Sequence, residues 1–290
     1  MSKSDSIQEC EDCLEPADAF AVVGNETRLS ILEALWTLEE PARFSEIREE
    51  VGSTDSAQFN YHLGKLTDQF VHKTDDGYEL RTAGERVVQA VLAGSFTEHP
   101  RREIAIDDPC TRCGASLTAE YEGEMLAIEC PDCGHGHGEY PFPPGGLHDR
   151  TDAEVLEAFD QRVRHLHCLA KDGVCPECNG KMETTLERGG ECCLGAELRA
   201  EHVCQQCHHD LCSAVGLGLL DHSAVAGFYD DHGVALSETP YWRFEWCVDD
   251  VPADVVSEDP TRVQIDIEYE GETLRVTVDD DLAVLETERR

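Results

Sequence analysis

Asp55-Ser56-Ala57-Gln58-Phe59-Asn60-Tyr61-His62-Leu63-Gly64-Lys65-Leu66-Thr67-Asp68-Gln69-Phe70 is the stretch on which the reading of this chain turns. Asp55 with Gln58 three residues later has the pattern of a capping box, a helix start. Phe59, Leu63, Leu66 and Phe70 follow at i, i+4, i+7 and i+11, which draws a narrow core-facing stripe. At about 100° per residue the same helix turns Ala57, Gln58, Tyr61, Gly64 and Lys65 to the opposite side. Asn60 and His62 stand at the flanks, His62 close enough to the stripe to read as a packing residue. The only charge between Ser56 and Leu66 is Lys65. The spacing therefore predicts a helix anchored by one side that presents a neutral, polar other side.

Helical signals lie upstream. Asn25 is an N-cap residue, and Leu29, Leu32 and Leu35 follow at helical spacing before the break at Glu39-Glu40-Pro41. Ser45 is expected to cap a short helix carrying Ile47 and Val51, which Gly52 ends. Downstream, Val71-His72-Lys73-Thr74 and Tyr78-Glu79-Leu80-Arg81 flank Asp75-Asp76-Gly77, the pattern of a β-hairpin. A last helix is predicted from Ala83 to Leu92, ending at Gly94. Helix, turn, helix, hairpin, helix is the element order of a winged helix-turn-helix.

The run Val23-Gly24-Asn25-Glu26-Thr27-Arg28-Leu29-Ser30-Ile31-Leu32 resembles the opening signature of ArsR-type winged-helix regulators. Gln58 to Leu66 is similar to that family's recognition helix, and Asp75 to Arg81 to its wing. The resemblance implies a homodimer that places two such helices in successive major grooves of a palindromic double-stranded DNA site, with the wings beside the minor groove. It implies DNA contacts for Ser56, Gln58, Asn60, Tyr61, Lys65, Lys73 and Arg81. Their chemistry suits the task. Gln and Asn can bond adenine bidentately, Ser56, Tyr61 and Lys65 can meet phosphates or base edges, and Lys73 and Arg81 can neutralise phosphates.

Charge argues the other way. The 290 residues hold 61 Asp and Glu against 23 Lys and Arg, a formal net charge of −38, with only five lysines. From Glu40 to Arg86 ten acidic residues face six basic ones, where nucleic-acid domains ordinarily carry a basic excess. The carboxylates are dispersed along the chain rather than gathered in a tail, the pattern of a protein adapted to a salt-rich, halophilic cytoplasm. At 1 M salt the Debye length is about 3 Å, so this self-repulsion is largely screened. The longest apolar run, Ala214 to Leu220, has seven residues, far short of the roughly 20 that span a bilayer. Met1 to Cys10 lacks a basic start followed by an apolar run, so no secretory signal is expected and the expected location is cytoplasmic.

In a reducing compartment, paired thiols are metal ligands or redox groups more often than disulfides. Cys110-x-x-Cys113 and Cys130-x-x-Cys133 are separated by 16 residues, and Gly114 and Gly134 follow directly. Two-residue spacing lets both thiolates of a tight knuckle converge on one tetrahedral ion, while a hairpin between the pairs delivers the second knuckle. Cys175-x-x-Cys178 and Cys204-x-x-Cys207 repeat the scheme across 25 residues. Two structural Zn2+ sites are expected, with Cys168, His208, His209 and Cys212 as substitute ligands at the second. Cys10-x-x-Cys13 has no partner pair, Phe44 to Gly52 lacks the cysteine-bearing sensor motif of the ArsR-type family, and Cys192-Cys193 and Cys247 suggest no role. His135 and His137 read as solvated residues of a Gly-rich turn.

The fold expected is α+β: a polar tail over 1–16, a winged helix-turn-helix over 17–96, a zinc ribbon over 97–147, and a C-terminal region over 148–290. That last region combines a helix, a second zinc-ribbon-like module and a small β-rich part. Thr151 with Glu154 opens the helix, and Val155, Phe159, Val163 and Leu166 line it. Val263, Ile265, Ile267 and Tyr269, then Leu274, Val276 and Val278, predict a hairpin or meander with one buried face. Tyr229, Tyr241, Trp242, Phe244 and Trp246 read as core in preference to a ligand pocket. The region resembles the C-terminal module of haloarchaeal winged-helix proteins. No Gly-rich phosphate loop, nucleophile elbow or open metal site is present in the sequence, so no enzyme is expected. The expectation is a sequence-specific DNA-binding transcriptional regulator. The alternative is an adaptor that docks to the transcription machinery without sequence preference.

Overall fold

The computed structural model describes residues 14–189, 196–251 and 253–290, which form two compact units divided between Thr97 and Glu98. Together they are α+β. Cys10, Cys13, Cys192 and Cys193 lie outside the described residues.

The first unit runs α1 (Pro16–Val23), α2 (Glu26–Thr37), α3 (Phe44–Glu50), α4 (Ser56–Leu66), β1 (Val71–Lys73), β2 (Tyr78–Leu80) and α5 (Thr82–Leu92). Asn25 caps α2 by accepting the Arg28 N–H at 3.3 Å. Asp55 caps α4 by accepting the N–H groups of Ala57 at 2.8 Å and Gln58 at 3.0 Å. Ile31, Leu32 and Leu35 of α2 close on Ile47 of α3, on Phe59, Leu63 and Leu66 of α4, and on Val88 of α5. Two local expectations shift. Ser45 does not cap α3: the helix starts at Phe44, whose ring meets Phe59, and the Arg43 N–H donates to Glu46 Oε2 at 2.7 Å instead. Phe70 is buried but not helical, because α4 stops at Leu66 and Asp68 turns the chain with φ +77°.

The β1–β2 hairpin pairs Val71 with Leu80 and Lys73 with Tyr78. Ala42, between α2 and α3, joins it by exchanging two hydrogen bonds of 2.9 Å with Tyr78. That approach requires Gly77, since a Cβ there would stand 2.5 Å from the Ala42 carbonyl oxygen.

The second unit opens with an antiparallel meander of β3 (Arg102–Pro109), β4 (Ser116–Glu122), β5 (Met125–Glu129) and β6 (Gly136–Pro141). The long helix α6 (Asp152–Lys171) follows. Its capping box forms, with Glu154 Oε2 accepting the Thr151 N–H at 2.7 Å and Thr151 Oγ1 accepting the Glu154 N–H at 3.4 Å. Then come the three-stranded sheet β7 (Met182–Arg188), β8 (Leu198–Cys204) and β9 (Asp210–Ser213), and the helices α7 (Ser223–Asp231) and α8 (Glu245–Val248). A second four-stranded meander closes the unit: β10 (Ala253–Glu258), β11 (Thr261–Tyr269), β12 (Glu272–Val278) and β13 (Val284–Arg289).

One core runs through this unit. Ile104, Leu117 and Ile128 of the first sheet, Val155, Phe159 and Val163 of α6, and Val263, Ile265 and Val276 of the last sheet all belong to it. The segments 97–147 and 148–290 therefore share a core. Tyr229, Tyr241, Trp242, Phe244 and Trp246 are all buried there, as core. No helix among the described residues is long and apolar enough to cross a membrane.

Candidate metal centres and nucleic-acid face

Cys110 and Cys113 lie in the β3–β4 connection and Cys130 and Cys133 in the β5–β6 connection, so the meander brings both pairs to one end of its sheet. The four Sγ atoms all lie within 4.8 Å of one another. Cys110 Sγ stands 3.7 Å from Cys133 Sγ, and Cys113 Sγ 3.4 Å from Cys130 Sγ. The second cluster is built the same way. Cys175 and Cys178 precede β7, while Cys204 ends β8 and Cys207 follows it. Cys175 Sγ to Cys207 Sγ is 3.7 Å and Cys178 Sγ to Cys204 Sγ is 3.5 Å.

All four knuckles share one backbone geometry. In each, the first cysteine's N–H donates to the carbonyl five residues on, and its own carbonyl accepts from the N–H four residues on: Cys110 with Ala115 and Gly114, Cys130 with His135 and Gly134, Cys175 with Gly180 and Asn179, Cys204 with His209 and His208. The residue after each pair takes a left-handed φ, +78° at Gly114 and +68° at Gly134. In the second cluster Asn179 and His208 adopt it at +58° and +59°, a conformation that Asn and His tolerate better than most side chains. His208 is thereby committed to the turn. It is not a ligand in the cluster, and neither are His209, Cys168 or Cys212.

These donors suit a metal ion. Four thiolates on an ion with metal–sulfur bonds near 2.3 Å stand about 3.8 Å apart, close to the spacings found, whereas a disulfide would hold its sulfurs near 2 Å. In each cluster the thiolate is favoured at one cysteine, Cys130 or Cys204, while the thiols of Cys113, Cys133, Cys178 and Cys207 are raised. The Cys207 N–H, followed by that of Gln206, donates to Cys204 Sγ and holds that thiol down to about 6. Desolvation works to raise the Cys130 thiol, but the N–H groups of Cys133 and Asp132 bring it down to about 7. Each cluster has two buried and two less buried cysteines. All four positions of each are filled by protein, the closed form typical of structural sites.

His135 and His137 are not solvated turn residues. His135 leads into β6 and His137 lies within it, and both are buried, ring against ring at 4.9 Å. His137 Nδ1 pairs with the Trp242 carbonyl at 3.2 Å, and burial pushes its imidazole down to about 4. His135 Nε2 stands 3.5 Å from the Asp249 carboxylate. Asp249 also receives the Arg112 guanidinium at 2.9 Å. Sequence carried no signal for this, because Trp242 and Asp249 are more than 100 residues away.

In the first unit, Ser56, Gln58, Asn60, Tyr61 and Lys65 are all exposed on α4, while Phe59, Leu63 and Leu66 of the same helix are fully buried. Tyr61 is 60% exposed, with Lys65 Nζ 5.7 Å from its ring centre. His62 is half-buried. Lys73 and Arg81 are exposed on the hairpin, Lys73 beside the Tyr78 ring, and the Arg81 guanidinium donates to the Asp68 carbonyl at the end of α4. Reading the sequence missed Arg48. Its guanidinium donates to the Ser56 hydroxyl, which sets a cation beside the first turn of α4. The short connection from Glu50 to Ser56 was the available signal, since it forces the last turn of α3 against the first of α4.

The family described as domain of unknown function DUF7351 matches residues 107–284, and that described as domain of unknown function DUF7347 matches residues 16–91. No curated protein and no solved structure matches the chain.

Proposed function

We propose, for a chain that belongs to the DUF7351 family, a sequence-specific DNA-binding transcriptional regulator with two structural zinc sites. The first unit is read as a winged helix-turn-helix of ArsR type, with α4 as recognition helix and the β1–β2 hairpin as wing. One observation carries this reading. The helix α4 is pinned by Phe59, Leu63 and Leu66 and offers solvent a neutral polar side around Tyr61. Gln58, Asn60 and Tyr61 are the base readers in this scheme. Arg48 and Ser56 at one end of the helix, and Lys73 and Arg81 on the hairpin, take phosphates and fix its register.

The surrounding acidity sets the condition. Only close contacts survive where the Debye length is about 3 Å, so carboxylates a helix turn away repel a duplex weakly at molar salt. Homodimerisation is supported by large apolar side chains left exposed on the same unit, Phe20 at 75% and Phe96 at 78%. Soft thiolate donors in closed sets of four favour zinc over harder ions. When bound, the ion cross-links the two knuckles of its cluster. The chain's own part is to deliver the sulfurs pre-folded, through the N–H bonds within each knuckle.

The test is retention on a selected palindromic duplex in molar KCl. Wild type is expected to be retained and Gln58→Ala with Tyr61→Ala to be lost; unchanged retention by the double variant counts against the reading. Metal analysis is expected to return about two zinc per chain. The excess of four acidic residues over Glu40 to Arg86 favours a second reading, a docking adaptor of the transcription machinery. Footprinting without any reproducible palindrome would select it.

A further inference from the structure

The dipeptide Asp249-Asp250 touches both cysteine modules. Asp249 is 7% exposed and accepts the Arg112 guanidinium at 2.9 Å through Oδ2. Arg112 is one of the two residues between Cys110 and Cys113. The same oxygen lies 3.5 Å from His135 Nε2, two residues after Cys133. Both knuckles of the first cluster therefore converge on one buried carboxylate. The other oxygen, Oδ1, accepts the N–H groups of Asp250 at 2.8 Å and Val251 at 3.3 Å, which shapes the turn. That turn aims Asp250 at β8, where its Oδ2 accepts the N–H groups of Glu197 at 2.6 Å and Leu198 at 3.0 Å. The strand gripped at Leu198 ends at Cys204, a member of the second cluster.

We infer that Asp249-Asp250 is a clasp that links the two four-cysteine sites, so that metal at either site raises the affinity of the other. The inference rests on the metal-binding reading of both clusters. A buried carboxylate is costly without its partner. A knuckle fixed by metal keeps Arg112 in place, Arg112 keeps Asp249, and Asp250 then holds the start of the strand that carries Cys204. Ordering one site thus removes part of the ordering cost of the other, and by linkage the effect is reciprocal.

The test is native mass spectrometry of the full chain, stripped of metal and given one equivalent of Zn2+. Independent equal sites leave half of the molecules singly loaded, and sites of unequal affinity leave more. Coupling of about 5-fold or above, within the usual range for linked sites, cuts the singly loaded share to about a third or less. Wild type is expected to show that depletion, with empty and doubly loaded chains dominating. Asp249→Asn and Arg112→Gln, which keep all eight cysteines, are expected to restore a singly loaded share of half or more. Arg112 is 53% exposed along its side chain, so its replacement cannot empty the core. A singly loaded share in wild type no lower than in the two variants overturns the clasp while leaving the metal reading intact. Depletion that persists in both variants also overturns it and assigns the coupling to the shared core. A chain that takes up no zinc at either cluster overturns the metal reading and the inference with it.

Discussion

The ring of Phe44 meets the ring of Phe59 edge-on, with 5.0 Å between centroids. One starts α3 and the other lies on the buried side of α4, so this contact sets the angle at which α4 presents Gln58 and Tyr61. Phe59→Ala is expected to cost about 3–5 kcal/mol of the first unit's stability. Urea unfolding followed by a probe confined to residues 14–97 checks this, and a loss under about 1 kcal/mol would mean that the ring is not an anchor.

On the proposed reading, substitutions at Arg48 and Tyr61 separate phosphate contact from base reading. The Arg48 guanidinium reaches Ser56 from the end of α3, and in the proposed complex one phosphate meets both groups. Arg48→Gln is expected to weaken retention on specific and unrelated duplexes alike and to lower the salt slope by about one ion. Tyr61→Ala is expected to weaken the specific duplex selectively. Equal sequence dependence in both variants would assign Arg48 to stability alone.

What could be read in advance was local. Asp55, Asn25 and Thr151 cap helices because their partners lie two or three residues away, and the Cys-x-x-Cys pairs announce knuckles whose hydrogen bonds close within six residues. Failure began where a distant or shape-dependent partner decides. Ser45 does not cap because α3 starts one residue earlier, at Phe44 with Arg43 in the cap position, where the Phe44 ring meets Phe59. Phe70 fitted the stripe of α4 by number, yet the turn at Asp68 buries it by another route. Nothing near His135 or His137 foretold Asp249 or the Trp242 carbonyl, so residues of a Gly-rich segment passed for solvated. The candidate site divides the same way: the thiol sets and the exposed side of α4 were legible, while Arg48 and the clasp were not.

Buried imidazoles make the second unit sensitive to acid. His167 lies in α6 between the rings of Tyr140 at 5.1 Å and His202 at 5.8 Å, and burial, then the neighbouring His202, push it down to about 3. An unfolded histidine titrates near 6.5, so below that pH the unfolded chain takes up the proton first. The stabilisation is complete above about pH 6.5 and drains away as pH falls toward 3. His167→Leu cannot titrate. Relative to wild type it is expected to gain stability on going from pH 7 to pH 4, by an amount of order 3 kcal/mol. Parallel stability curves over that range, compared at fixed metal loading, would remove His167 from the acid response.

Two glycines of the first unit make opposite predictions from the same substitution. At Gly64, on the exposed side of α4, an added Cβ meets nothing within 4 Å. Gly64→Ala is expected to stabilise by about 0.5–1 kcal/mol, the usual helix-interior difference between the two residues. At Gly77 the same methyl meets the Ala42 carbonyl oxygen at 2.5 Å and its carbon at 2.9 Å. Both are backbone atoms, so no rotamer relieves the clash, and the hairpin must draw away from Ala42. That movement breaks the two 2.9 Å bonds between Ala42 and Tyr78. Gly77→Ala is expected to cost about 1–3 kcal/mol. It is also expected to weaken DNA retention beyond the stability loss, since Lys73 and Arg81 move with the hairpin. Denaturant midpoints for the two variants decide the first point. Retention measured well below those midpoints decides the second, and a Gly77→Ala chain that binds like wild type would detach the hairpin from DNA contact altogether.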